Sequence, residues 1–174
     1  MEKTNKSLKE WNAIIEALGH GKQTILIRTY STTLPGFLLY PTVSYAKRDD
    51  CFEYFKKDYK QFVRENAIPN IKGEKTEIKY YAKVEKILEK SSAQISKLNK
   101  YHIWHNKHVQ HYLKGKNGFI WVLRVFNIPN PYMAEINRGM LYANLKEKID
   151  LANAKPSINE KEFIKLLKKI TLSN

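Results

Sequence analysis

Apolar positions recur at two different periods along this chain. Leu8, Trp11, Ile14, Ile15 and Leu18 are three and four apart, the stripe of an amphipathic helix. Ser7 and Glu10 read as a capping box and Gly19 as a stop, which predicts a helix over 8–18. Thr24–Tyr30 is β-branched and apolar and predicts a strand. Phe37–Tyr40, stopped by Pro41, predicts another, and the two are expected to pair as a hairpin across the loop 31–36. Asp49 and Asp50 open a predicted helix that buries Phe52, Phe55, Tyr59, Phe62 and Val63 and ends at Asn66 and Pro69. From Glu74 to Ile87 the period becomes two: Thr76, Ile78, Tyr80, Ala82 and Val84 form one face of a long strand, and Glu77, Lys79, Tyr81, Lys83 and Glu85 the other. Ser91 and Ser92 suit the cap of a short helix, and Asn106 the cap of another carrying Val109, Tyr112 and Leu113. Phe119–Phe126 is the most apolar stretch and predicts a central strand ended by Pro129 and Pro131. A second capping box, Ser157 with Glu160, opens a last helix over 158–172 that buries Phe163, Leu166, Leu167 and Ile170. Helices and strands mix without a βαβ rhythm. The class is α+β: one domain over 1–174, with a small mixed or antiparallel sheet flanked by helices and its core within 7–145.

Composition narrows the function. Hydrophobic residues are 43% and aromatic residues 12% of 174, enough for one core and too many for a disordered chain. The start is polar and no apolar run approaches the ~20 residues of a membrane span, so neither a spanning helix nor a secretory signal is expected. Cys51 stands alone and makes no internal disulfide. A cytoplasmic protein with no membrane partner is the expectation. The net charge of +14 changes the picture most. It suits a polyanionic partner, nucleic acid before an anionic membrane surface. A host-wide lysine bias is the plainer reading, because only five of the 31 basic residues are arginine.

Two of those arginines, Arg28 and Arg124, each follow a run of buried-strand residues. An arginine there must reach a cleft or find a counter-ion, with Glu16, Glu53 and Glu135 as candidates. His102, His105, His108 and His111 recur every three residues. On one helix each lags the last by ~60°, so four cannot share a metal. Contacts of His105 and His108 to phosphate or bases, or a wet helix face, fit better. Tyr80, Tyr81, Tyr101, Trp104 and Tyr112 interleave with lysines, as stacking platforms for unstacked bases do, although Trp104 and Tyr80 would serve equally as core. Glu77-Ile-Lys79 has the spacing of half a restriction-type nuclease site, but in a chain this rich in Glu and Lys it also arises by chance. No Walker loop, dinucleotide glycine fingerprint or nucleophile elbow is present. No cofactor is implied. The lysines of the last helix fit packing on the core better than a lipid surface.

Three segments together resemble one family. They are Leu8–Gly19 running into Ile25–Arg28, then Phe37–Thr42, then His102-Ile-Trp104 with His108-Val109 and Val122–Pro131. In this order they are similar to the prokaryotic domain of unknown function 1802. Glu10, Trp11, Glu16, Gly19, Arg28, Tyr40, Pro41, His102, Trp104, Arg124 and Pro131 carry the likeness. The family usually closes on a Gly-Cys-x-Ser-Trp-like stretch, and here Gly139–Leu145 lacks the Cys and Trp. The resemblance implies an accessory or DNA-recognising role, because members occur beside Mrr-type restriction endonuclease modules. Gly21-Lys22 and Arg28 also resemble the ASCH branch of PUA-like barrels, with Leu26 where that pattern has Glu. This second likeness implies a PUA-like barrel.

The expectation is therefore a nucleic-acid-binding domain, DNA before RNA, with a restriction endonuclease as a possible companion. Lys22, Lys47, Lys107, Lys114 and Lys116 are expected to neutralise phosphates. Arg28, Arg124, Tyr40, Trp104 and His108 are expected to line a specific cleft, with His105 beside it. The alternatives are a Mg²⁺ nuclease built on Glu77, a hydrolase using His105 and His108, and a basic module that docks on an acidic protein.

Overall fold

Two long antiparallel strands organise the molecule. The computed structural model describes residues 3–43, 48–137, 139 and 141–173. Strands β1 (Thr4–Trp11), β2 (Ile25–Arg28), β3 (Gly36–Thr42), β4 (Ile71–Lys72), β5 (Lys75–Lys90), β6 (Gly118–Glu135), β7 (Tyr142–Ile149) and β8 (Lys155–Pro156) form one sheet. Helices α1 (Asn12–Gly19), α2 (Lys60–Glu65), α3 (Ser92–Ser96), α4 (Asn106–Leu113) and α5 (Glu160–Leu172) flank it. The order is β2-β6-β5-β3-β1-β7, an open path, with β4 added to β5 and β8 to β6. The pair β1–β3 is parallel and the rest are antiparallel, so the sheet is mixed. The α+β class holds.

The alternation read from the sequence places β5 correctly: Thr76, Ile78, Tyr80 and Ala82 are buried, and Glu77, Lys79, Tyr81 and Lys83 between them are more exposed. Strand β3 buries both faces. Phe37 and Leu39 join the main core around Trp121, Phe55 and Leu8, while Leu38 and Tyr40 join a second cluster with Ile78, Leu145 and Ile149. Among the described residues no helix is long and apolar enough to cross a membrane.

Four local expectations are corrected. The first helix starts at Asn12, not Leu8, because both residues of the apparent capping box are taken by distant partners. Ser7 Oγ donates to the Ala143 carbonyl of β7 at 2.7 Å, and the Glu10 carboxylate accepts from Arg28. The expected β2–β3 hairpin does not form, because β6 and β5 lie between those strands. Residues 51–59 form two single 3₁₀ turns before α2 instead of one helix. Phe55 turns extended between them to bridge Trp104, Lys56 N–H donates to Ile103 at 3.0 Å, and His105 N–H donates to Tyr54 at 2.7 Å. Finally, β6 runs through Pro129 and Pro131. Tyr80 pairs with Asn127 and Ile78 with Tyr132, so Lys79 alone faces Ile128–Pro131. The prolines sit in a bulge where no ladder N–H is required.

Two predicted caps also shift. His105 rather than Asn106 caps α4, its Nδ1 accepting from Lys107 N–H at 3.2 Å. Asn159 rather than Ser157 caps α5. Ser91 does cap α3, in a complete box with Gln94.

Candidate nucleic-acid interface

Strands β1, β2 and β3 end together, and a cleft of about 530 Å³ opens there. Glu10 and Trp11 come from the end of β1, Ile27 and Arg28 from β2, and Thr42 from β3. Helix α4 contributes His108, Val109 and Tyr112, and Trp104 and Tyr30 add two more aromatic walls. The connection from β6 to β7 closes one side with Asn137, Gly139 and Leu141.

Arg28 lies in the cleft as a buried charge. All four residues of β2 are buried, so its guanidinium has no route to bulk water along the strand. It donates to the Glu10 carboxylate, itself 7% exposed, and to the Ile27 carbonyl at 3.1 Å. Burial is the largest influence on its pKa and opposes the charge. The Glu10 carboxylate, followed by the phenols of Tyr30 and Tyr112, outweighs burial and holds the pKa above the ordinary arginine value. The other Glu10 oxygen accepts from Trp11 N–H at 2.7 Å. The cleft therefore offers a carboxylate and a guanidinium side by side among aromatic faces.

The walls are held in place. The His108 ring lies on the Tyr54 ring at 4.4 Å, and Trp11 is 6.2 Å from it. Tyr30 meets Trp121 edge-on at 5.7 Å, and the Trp121 indole N–H donates to the Tyr30 carbonyl. Burial pushes the Tyr30 phenol up. Trp104 is 7% exposed, and its indole N–H is buried with no hydrogen-bond partner among the described residues. Lys9 Nζ donates to the Asn137 carbonyl at 2.6 Å, and Lys9 N–H donates to Leu141 at 2.8 Å, which fastens the β6–β7 connection to the rim.

Of the residues expected at a specific cleft, Arg28, Trp104 and His108 are there. Tyr40 stands behind one wall: its hydroxyl donates to the Glu135 carbonyl and accepts from Asn137 N–H, both at 2.7 Å, so it positions that wall. Arg124 lies elsewhere, lining a small crevice with Leu18, Thr24 and Phe163 and paired with Glu160 at the start of α5. The three expected counter-ions serve other groups. Glu16 takes Lys79 and the Tyr80 hydroxyl, Glu53 takes Lys60, and Glu135 takes Lys146. Lys107, Lys114 and Lys116 are exposed on or just beyond α4, and His105 is exposed at its cap. Lys22 is exposed, with its ammonium over the Phe62 ring at 5.3 Å. Lys47 lies outside the described residues. Lys9, Tyr30, Asn137 and Leu141 were missed, because only tertiary structure brings them to the cleft.

His102 does not share a helix with the other three histidines. It is 1% exposed, and burial, reinforced by the Lys56 charge and partly opposed by a backbone contact with Trp104, pushes its pKa down to about 3. Glu77 accepts from Asn70 at 3.2 Å, and Lys79 is committed to buried Glu16. No group of three or more His, Cys, Asp or Glu converges among the described residues.

The fold is similar to that of ASCH from Zymomonas mobilis. A serine-to-alanine mutant of ASCH from Zymomonas mobilis superposes with a TM-score of 0.50 at 11% identity, covering 97% of this chain and 99% of that one. The ASCH protein of that organism without the mutation gives 0.49 at 12% identity, over 97% and 95%. The model of the domain of unknown function DUF1802 matches residues 7–169, and the chain belongs to that family. No curated protein matches it in sequence.

Proposed function

We propose that this protein binds nucleic acid and takes one unstacked base into the cleft at the ends of β1 and β2. The observation that carries this reading is a cavity with room for a base, walled by Trp11, Tyr30, Trp104 and Tyr112, with the buried Glu10–Arg28 pair among them. Every nucleobase has a π face, and stacking on such walls contributes ~1–3 kcal/mol per base. Every nucleobase edge also carries donors and acceptors, which a carboxylate and a guanidinium answer from fixed positions. Lys107, Lys114 and Lys116 supply phosphate contacts beside α4, and the net charge of +14 favours encounter. DNA before RNA, and a restriction endonuclease as companion, are the finer parts of the proposal and come from the family resemblance.

The test is fluorescence anisotropy with single- and double-stranded DNA, modified-base DNA and RNA. One ligand is expected to stand above the rest. Its affinity should fall ~10- to 100-fold between 50 and 200 mM salt, as release of counterions by a few lysines requires. Tyr112→Ala should remove the preference. A flat salt response with every ligand bound equally would overturn the proposal, and co-purification of a partner protein would then favour the protein-docking alternative.

A further inference from the structure

We infer that His108, with Arg48 and His111, forms a subsite for the phosphate of the nucleotide whose base enters the cleft, and that filling this subsite takes up a proton. The inference rests on the base-binding reading above. His108 lines the cleft and stacks by its ring face on Tyr54 at 4.4 Å. Stacking uses the π face and leaves both nitrogens in the ring edge, and no hydrogen bond engages them among the described residues. A half-buried imidazole with unengaged nitrogens at the wall of a cleft is a donor awaiting an acceptor.

Its surroundings select the charge of that acceptor. The Tyr54 hydroxyl donates to the Asp50 carboxylate at 3.0 Å and accepts from Arg48 at 3.4 Å, which holds the exposed guanidinium next to the stacked pair. His111 follows on the exposed face of α4. Arg48 and His111 both lie close enough to press on the His108 charge, and Asp50 opposes them. From β1, Trp11 brings an uncharged ring, Glu10 is neutralised by Arg28 of β2, and Lys9 is occupied by Asn137. Tyr112 adds a neutral phenol from the same helix, and His105 caps that helix. Arg48 and Asp50 beside the cleft offset one another, as Arg28 and Glu10 do within it, so the charge that an arriving anion meets at this edge comes from protonation of the His108 ring, with the exposed Arg48 guanidinium next to it. Burial, then His111 and Arg48, hold the His108 pKa below its ordinary value, so the ring is neutral in the empty cleft at pH 7. A phosphate oxygen arriving at the edge reverses that preference, because an anion in contact favours the imidazolium. Binding and protonation are then linked: each strengthens the other, and affinity rises as pH falls.

The experiment compares free nucleosides with dinucleoside monophosphates of DNA and RNA, since the diester does not titrate in this range. Calorimetric titrations at pH 8 and pH 6 should show flat nucleoside affinity and diester affinity rising ~5- to 10-fold at the lower pH. His108→Gln should flatten that rise, with nucleoside affinity still independent of pH. Arg48→Ala should weaken the diester at both pH values, and His111→Ala should keep most of the rise. In the parent protein, the NMR titration of the His108 ring should move to higher pH when the diester is added. A rise that survives His108→Gln, or a diester no better than its nucleoside at pH 6, would overturn the subsite while nucleoside binding keeps the base-binding reading intact. If neither nucleoside nor diester binds, both readings fall. A mononucleotide that binds as tightly as an oligonucleotide supports the subsite and assigns it to free nucleotides; a clear oligonucleotide advantage supports it and assigns it to the polymer.

Discussion

Arg28 and Arg124 occupy nearly the same sequence context, each after a run of apolar strand residues, and the fold treats them differently. Arg28 meets Glu10, a carboxylate as buried as itself, in a cleft lined by aromatic rings. Arg124 meets Glu160, whose side chain is 61% exposed, and lies over Phe126 and Phe163 at 5.4 and 5.5 Å. One is a desolvated pair facing a ligand-sized space. The other is a strap between β6 and α5 that water screens. The burial of the partner, rather than the strand around the arginine, separates the pair in the proposed site from the pair that packs.

The largest expected effect comes from breaking the buried pair on one side. Arg28→Ala leaves the buried Glu10 carboxyl without its cation, and should cost about 3–5 kcal/mol in urea denaturation. Replacing both partners by leucine should restore much of that stability while abolishing base recognition. A single variant within about 1 kcal/mol of the parent would show that the pair is not desolvated.

His102 extends the contrast, as a buried titratable group with no counter-ion among the described residues. Its pKa is depressed to about 3 in the folded chain, so between its ordinary 6.5 and 3 the unfolded chain binds the extra proton. Stability should therefore fall as pH drops through that window, by up to ~1.4 kcal/mol per pH unit. Chemical denaturation at several pH values should show this slope, and His102→Leu should lose that part of it.

Tyr112→Ala separates binding from folding. Its side chain is 39% exposed, so stability should change little, while affinity for the preferred oligonucleotide should fall by ~1–3 kcal/mol. Arg124→Ala is the counterpart and the smallest effect: about 1 kcal/mol of stability and no change in affinity. An affinity loss there equal to that of Tyr112→Ala would erase the distinction between the two arginines.

What could be read in advance follows from the range of each interaction. The long alternation of β5 and the cap at Ser91 are local, and both were legible. The first strand was not, because what makes Leu8–Trp11 a strand is β3 on one edge and β7 on the other. The helical spacing of Leu8, Trp11 and Ile14 is real, but only its second half is used. Strand β7 itself went unread, since Tyr142–Ile149 carries little apolar pattern and gains its place by pairing with β1. At the cleft, Arg28, Trp104 and His108 were visible as chemistry. Glu10 and Trp11 were visible only through the family likeness, and neither was linked to Arg28. Tyr30, Asn137 and Leu141 carry no local signature.

The position of β1 one strand in from the edge of the sheet also sets the order in which the molecule is assembled. Strand β1 lies between β3 and a strand 136 residues later, where Ser7 meets Ala143. As the chain leaves the ribosome, β1 can find β3 early, but its other edge stays unpaired until β7 has emerged. The same late segment carries Asn137 and Leu141, which complete the cleft wall and fasten it through Lys9. The proposed cleft is thus complete only after this segment has emerged, and an unpaired strand edge is a hazard that persists until β7 has joined it. A product truncated before β7 would expose that edge of β1.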